Sequence, residues 1–292
     1  MDARGVRTIY RSKLPLDLAR TLLSLARGPY DPCIRMDGAG AIWRATRTPE
    51  GPSTTRFFGT SDGVEIESFG AGAAWSIENA PDLLGHGDDL QGFAPKGKLA
   101  AIHRANPGIR ITRTKAVYEA AIRSICEQLV TGREAQRAFA KLTRTFGEKA
   151  PGPVDLWVPP LPKKIARLTY GELHPCGLEA KRALTLREVA RTATSIEKTS
   201  AMPIAEAYRL LAHVKGIGPW TLAEIAVAAW GDADAVSVGD FHLKNTVVYA
   251  FTGAPRGTDA EMLELLEPYR PHRARVIKLI EAARIRAPRF GA

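Results

Sequence analysis

The spacing of apolar positions changes near residue 95 and divides the chain in two. Before that point, short apolar or alternating runs are bounded by glycine and proline, as in 41–46 (Ala-Ile-Trp-Arg-Ala-Thr), 55–59 and 64–69. Such runs predict half-buried strands closed by turns. Residues 16–26 instead have helical spacing, with Pro15 and Asp17 as entry signals. Trp43, Phe57, Phe58 and Trp75 read as core. From residue 114 apolar positions recur at helical intervals, with Val117, Ala120, Ala121, Ile125 and Leu129 on one face. Helices are expected over 114–130, 133–146, 205–213, 219–230, 241–251, 259–266 and 272–286, with shorter ones from 161 to 191. Segment 88–97 is rich in Gly, Pro and Asp and reads as a connection. Segment 151–162 holds five prolines and is expected to be irregular but stiff. The expected class is α+β: an antiparallel-sheet domain with helices over 1–97, then an all-α domain over 98–292.

Charge follows the same division. The net charge is +10, yet residues 1–95 carry 10 Lys/Arg against 12 Asp/Glu, while the remainder carries 31 against 19. A basic surface concentrated in one part is what a polyanion selects, because each neutralised phosphate releases counterions. A plain solubility device is the competing reading. Hydrophobic content of 45% with 25% charged residues is ordinary for a globular chain. No apolar run reaches bilayer-spanning length and the basic N-terminus lacks a secretory core, so a cytoplasmic location is expected. Cys33, Cys126 and Cys176 lie far apart, which argues against a zinc site or a disulfide framework.

The most informative stretch is 210–221, Leu-Leu-Ala-His-Val-Lys-Gly-Ile-Gly-Pro-Trp-Thr. One expected helix ends here, Gly216 and Gly218 suit a tight turn, and Pro219 fits the first position of the next helix. The first N–H groups of that helix lack intrahelical partners and carry the positive end of its dipole. A turn of small residues leading into such an end is an anion site, with phosphate as the natural guest. Taken by itself the turn also reads as a capped corner between helices.

The continuation adds Asp240 in Val-Ser-Val-Gly-Asp-Phe-His-Leu. Val214, Gly216, Ile217, Gly218, Pro219, Trp220 and Thr221, followed by Asp240 and Phe241, resemble the helix-hairpin-helix DNA glycosylase superfamily. The resemblance is closest to its alkyladenine branch, the bacterial 3-methyladenine DNA glycosylase II type. It implies a monofunctional enzyme that flips an alkylated purine out of double-stranded DNA and hydrolyses its glycosidic bond, leaving an abasic site. A monomer at the bacterial nucleoid is implied, with an N-terminal α+β domain of about the size seen here.

On this resemblance Asp240 is the catalytic carboxylate, facing the sugar as positive charge grows at C1′. Gly216, Gly218 and the Thr221 hydroxyl would hold a DNA phosphate. The carbonyls of Ala212, Val214 and Ile217 would bind a structural Na⁺ or K⁺, and no catalytic cofactor is implied. Trp220 stands where lyase members carry a lysine, and suits stacking on a cationic, electron-poor ring. Phe241 and Tyr118 are further base-pocket candidates. Residues 127–131, Glu-Gln-Leu-Val-Thr, resemble the family's G-Q-L-V-S segment, in which an apolar side chain plugs the gap left by the flipped base. Leu129 takes that place, and Glu127 departs from the family's glycine.

Each assignment has a plainer counterpart. Leu129 reads equally as a core leucine at a helix end, Trp220 as core, and Asp240 as a helix cap. Asp234 is the second choice for the carboxylate. A hairpin glycosylase for oxidised or deaminated bases remains open, although Lys215 and Lys244 do not fit the lysine position and no cysteine follows Cys176 for an iron–sulfur cluster. A non-catalytic DNA clamp is the reading from another class.

Overall fold

The computed structural model describes residues 5–288. Its N-terminal part is a five-stranded antiparallel sheet in the order β1-β5-β4-β3-β2. The strands are β1 (Val6–Tyr10), β2 (Ile34–Met36), β3 (Ile42–Thr48), β4 (Gly51–Thr60) and β5 (Gly63–Phe69). Alternation decides the faces: Ile42 joins one apolar cluster and Trp43 the other. The first face is covered by α1 (Leu18–Leu22) and α2 (Ala73–Leu83). Asp17 caps α1 by accepting the Arg20 N–H at 2.9 Å.

Helices follow, from α3 (Gly97–Ala105), α4 (Val117–Glu127) and α5 (Gly132–Phe146) to the short α6 (Pro162–Ile165) and α7 (Tyr170–Leu173). Then come α8 (Ala180–Arg191), α9 (Ala193–Glu197), α10 (Ile204–Ala212) and α11 (Pro219–Ile225). The last are α12 (Leu243–Thr252), α13 (Asp259–Leu266) and α14 (Arg273–Ala282). The reading of 98–292 as all-α misses a two-stranded ribbon, β6 (Glu148–Lys149) with β7 (Trp157–Val158). Strands of two residues leave no periodic signal, and Leu156 and Val158 pack on the second face of the sheet.

Two separate apolar clusters organise the helices. One gathers α4, α5, α8, α10 and α11 around Val117, Ile122, Phe139, Leu186 and Ile225. The other joins α3, α12, α13 and α14 through Leu99, Val247, Met262, Leu266 and Val276. The helical part is therefore two-lobed, and a cleft runs between the lobes. Buried ion pairs fix the other elements to them. Arg123 of α4 meets Asp31 at 2.7 Å, and Glu119 takes Arg44 at 3.2 Å and the Thr46 hydroxyl at 2.6 Å, which seats the sheet on α4. Asp88, at the start of the expected connection, bonds Arg275 of α14 at 2.9 Å and the Ile111 N–H at 3.1 Å, so this segment is anchored. Among the described residues no helix is long and apolar enough to cross a membrane.

Candidate active-site cleft

The cleft encloses about 1830 Å³ and is lined from both lobes. The hairpin α10–turn–α11 forms one wall. Val214 N–H bonds the Leu211 carbonyl and Ile217 N–H bonds that of Val214, both at 3.0 Å, which closes the turn. Gly216 has φ +92°, and a β-carbon there would collide with the Thr185 side chain of α8. Gly218 has φ −93° and open space where its β-carbon would be. The two glycines thus serve different needs: Gly216 lets the turn sit on α8, and Gly218 leaves room beside the start of α11. That helix continues past Ile225 as a π-helical segment to Trp230, closed by Gly231 at φ +71°.

Asp240 sits at the junction of the lobes. Its Oδ2 accepts the indole N–H of Trp220 at 3.0 Å, and its Oδ1 accepts the backbone N–H of His242 and of Leu243, both at 2.8 Å. This capture explains why α12 begins at Leu243 and not at 241. The cap and the cleft-facing carboxylate are therefore one residue, lining the same space as Gly216, Gly218, Trp220 and Phe241. Phe241 is 75% exposed at the lip, edge-on to His242.

Leu129 is not core. Helix α4 stops at Glu127, and Leu129 turns away with φ +54° and 90% of its surface exposed. A branched side chain at positive φ is strained, and such strain concentrates at working sites. Thr131 and Glu134 form a reciprocal cap that starts α5 immediately afterwards.

Three sequence assignments need correction. Tyr118 is buried at 5% exposure within the α4 core, so it forms no wall of the cleft. Thr221 lines the cleft but is only 2% exposed, and its hydroxyl accepts Gln128 Nε2 at 2.8 Å, so it points inward and not toward a phosphate. Asp234 pairs with Arg270 at 3.0 Å and Arg273 at 2.8 Å, which makes it a structural ion-pair residue.

Other cleft residues carry no sequence signal: Arg27 from the N-terminal part, Glu224, Lys278 and Glu281; Glu127 and Gln128 belong to the 127–131 segment but had no role assigned. Glu224 follows Trp220 by one helical turn and accepts the Ser237 hydroxyl at 2.5 Å. Burial holds the Glu127 carboxyl above the ordinary range, although Arg27 at 2.7 Å pulls it back and Glu224 adds to the rise. Burial also lowers the Lys278 ammonium, with Glu281 opposing.

No family model matches the chain. It is 26% identical over 180 residues to DNA-3-methyladenine glycosylase 2 of Escherichia coli (strain K12), covering 61% of each. Its fold superposes on a 3-methyladenine DNA-glycosylase from Archaeoglobus fulgidus with a TM-score of 0.80 and 17% identity, over 96% of this chain and 98% of the other. In sequence and in fold the chain is similar to helix-hairpin-helix DNA glycosylases of the alkyladenine branch. The fold is shared more widely: an 8-oxoguanine glycosylase/lyase of Clostridium acetobutylicum has a TM-score of 0.73 at 14% identity, over 97% of this chain and 96% of the other. The chain spans about three fifths of the length of the curated relatives it matches first, 61% and 62%.

Proposed function

We propose that this chain is a monofunctional DNA glycosylase that flips an alkylated purine out of duplex DNA and hydrolyses its bond to the sugar. The observation that carries the reading is the Asp240 carboxylate, held by Trp220 and the start of α12 in the cleft that the hairpin borders. The relatives on the alkyladenine branch support the substrate class, and their names concern those proteins. A 3-alkyladenine or 7-alkylguanine is cationic, so the base departs with the bonding pair as a neutral leaving group. Positive charge grows at C1′, and Asp240 stabilises it and orients the water that adds there and gives up a proton. The hairpin positions the strand, with Gly218 admitting the backbone and the helix start facing a phosphate. Leu129 fills the vacated stack.

Trp220 stands at the position where the family's lyases carry a lysine, so base release leaves an intact abasic strand. A structural Na⁺ or K⁺ would use the carbonyls of Ala212, Val214 and Ile217. That of Val214 already accepts one N–H and has a second lone pair to give.

The test is incubation of methylated duplex with the purified protein, following free base and abasic sites, with borohydride present in a parallel sample. Release of free 3-methyladenine or 7-methylguanine without a trapped adduct supports the reading. A trapped covalent adduct overturns the monofunctional assignment, and binding without release by the wild type favours a clamp.

A further inference from the structure

The wedge and the hairpin are joined by one side chain. Gln128 Nε2 donates to the Gly216 carbonyl at 3.1 Å and to the Thr221 hydroxyl at 2.8 Å. One acceptor lies in the hairpin turn and the other in the first turn of α11, 88 and 93 residues further along the chain. The next residue is Leu129, exposed and at positive φ. Beyond it the Thr131–Glu134 cap fixes the start of α5. Leu129 therefore lies between two fixed points, and Gln128, its neighbour in the chain, is hydrogen-bonded directly to the hairpin.

We propose that Gln128 is a positioning residue that locks the Leu129 wedge to the hairpin, so that the phosphate held beside Gly218 sets where the wedge enters the duplex. This rests on the proposed glycosylase reading and adds to it a coupling between strand grip and base extrusion. The chemistry suits an amide. Its nitrogen carries two N–H donors, and the two partners are a carbonyl and a hydroxyl that both accept. A glutamate of the same length has no donor for the carbonyl when ionised, and an asparagine is one methylene short. Precise placement matters, because misplacement by about 1 Å at a reacting assembly costs about a hundredfold in rate.

The test reads base extrusion without needing catalysis. A duplex carries 2-aminopurine as the target base on a 2′-fluoro sugar that resists cleavage, and the fluorescence rise on protein binding reports its leaving the stack. Wild type, Gln128→Ala, Gln128→Glu, Leu129→Ala and the double Gln128→Ala/Leu129→Ala variant are compared, with affinity for undamaged duplex measured alongside. The expected result is a loss of about tenfold in extrusion for each Gln128 variant, approaching that of Leu129→Ala. Affinity for undamaged duplex should stay within about twofold, since no phosphate contact is removed. The double variant should be no worse than Leu129→Ala alone, because the two residues act as one unit. Thr221→Val, which removes one acceptor while keeping the buried shape, should show the same loss in smaller measure. Multiplying losses in the double variant, or wild-type extrusion by Gln128→Ala and Thr221→Val, overturn the proposal alone. A wild type that gives no rise overturns the proposal together with the reading beneath it.

Discussion

The indole N–H of Trp220 donates to Asp240 Oδ2 at 3.0 Å and so ties the first turn of α11 to the loop ahead of α12. With the His242 and Leu243 amides on the other oxygen, the carboxylate is fixed from two elements belonging to two different lobes. Trp220→Phe keeps an aromatic wall and removes the donor. Base release in single turnover is expected to fall by about tenfold or more, as when one preorganised hydrogen bond is lost at a reacting centre. DNA affinity should change little.

Leu129 separates stability from activity. Its positive φ costs about 1 kcal/mol that glycine does not incur, and its exposed side chain contributes no core packing. Leu129→Gly should therefore unfold at equal or higher urea concentration than the wild type. The same variant should release base more slowly, by about tenfold, because the gap in the stack is left unfilled.

The two hairpin glycines should respond in opposite ways. Gly216→Ala places a β-carbon into Thr185 at a φ that disfavours it, and should cost about 2 kcal/mol or more in urea unfolding. Gly218→Ala meets open space and should leave stability within about 0.5 kcal/mol. Its effect is expected in DNA affinity, measured by titration with duplex at fixed salt, where the added methyl intrudes on the strand.

Much of this was legible along the chain because the signals are local. The turn glycines, Pro219 and the spacing to Asp240 define the hairpin and its carboxylate without long-range information. The sheet strands showed themselves by alternation, as with Ile42 and Trp43. What stayed hidden depends on packing between distant segments. Thr221 reads as a phosphate ligand until its burial against Gln128 is seen, and Leu129 fits the face of α4 until the helix is found to end at Glu127. Glu224, Lys278 and Glu281 have no motif, since only the approach of α14 to α11 brings them into one cleft.

Glu127 makes stability depend on pH with a definite sign. Burial raises its carboxyl, so in a window above the ordinary carboxylate value the folded chain keeps a proton that the unfolded chain has lost. Its contribution is therefore most favourable below that window and declines as pH rises through it. Glu127→Gln removes the titration. Urea unfolding from pH 5 to pH 7 should show the variant gaining on the wild type as pH rises. A difference that is flat, or that moves the other way, contradicts this sign.

The most direct measurement is single-turnover release of methylated purine by wild type and Asp240→Asn at matched, saturating enzyme. Asparagine preserves the shape and an acceptor oxygen but removes the charge proposed to face the sugar. The wild type should produce free base and abasic sites in equal amounts, and the variant should be slower by about a hundredfold or more with duplex affinity retained. Release by Asp240→Asn at the wild-type rate would mean that this carboxylate is a helix cap and nothing else.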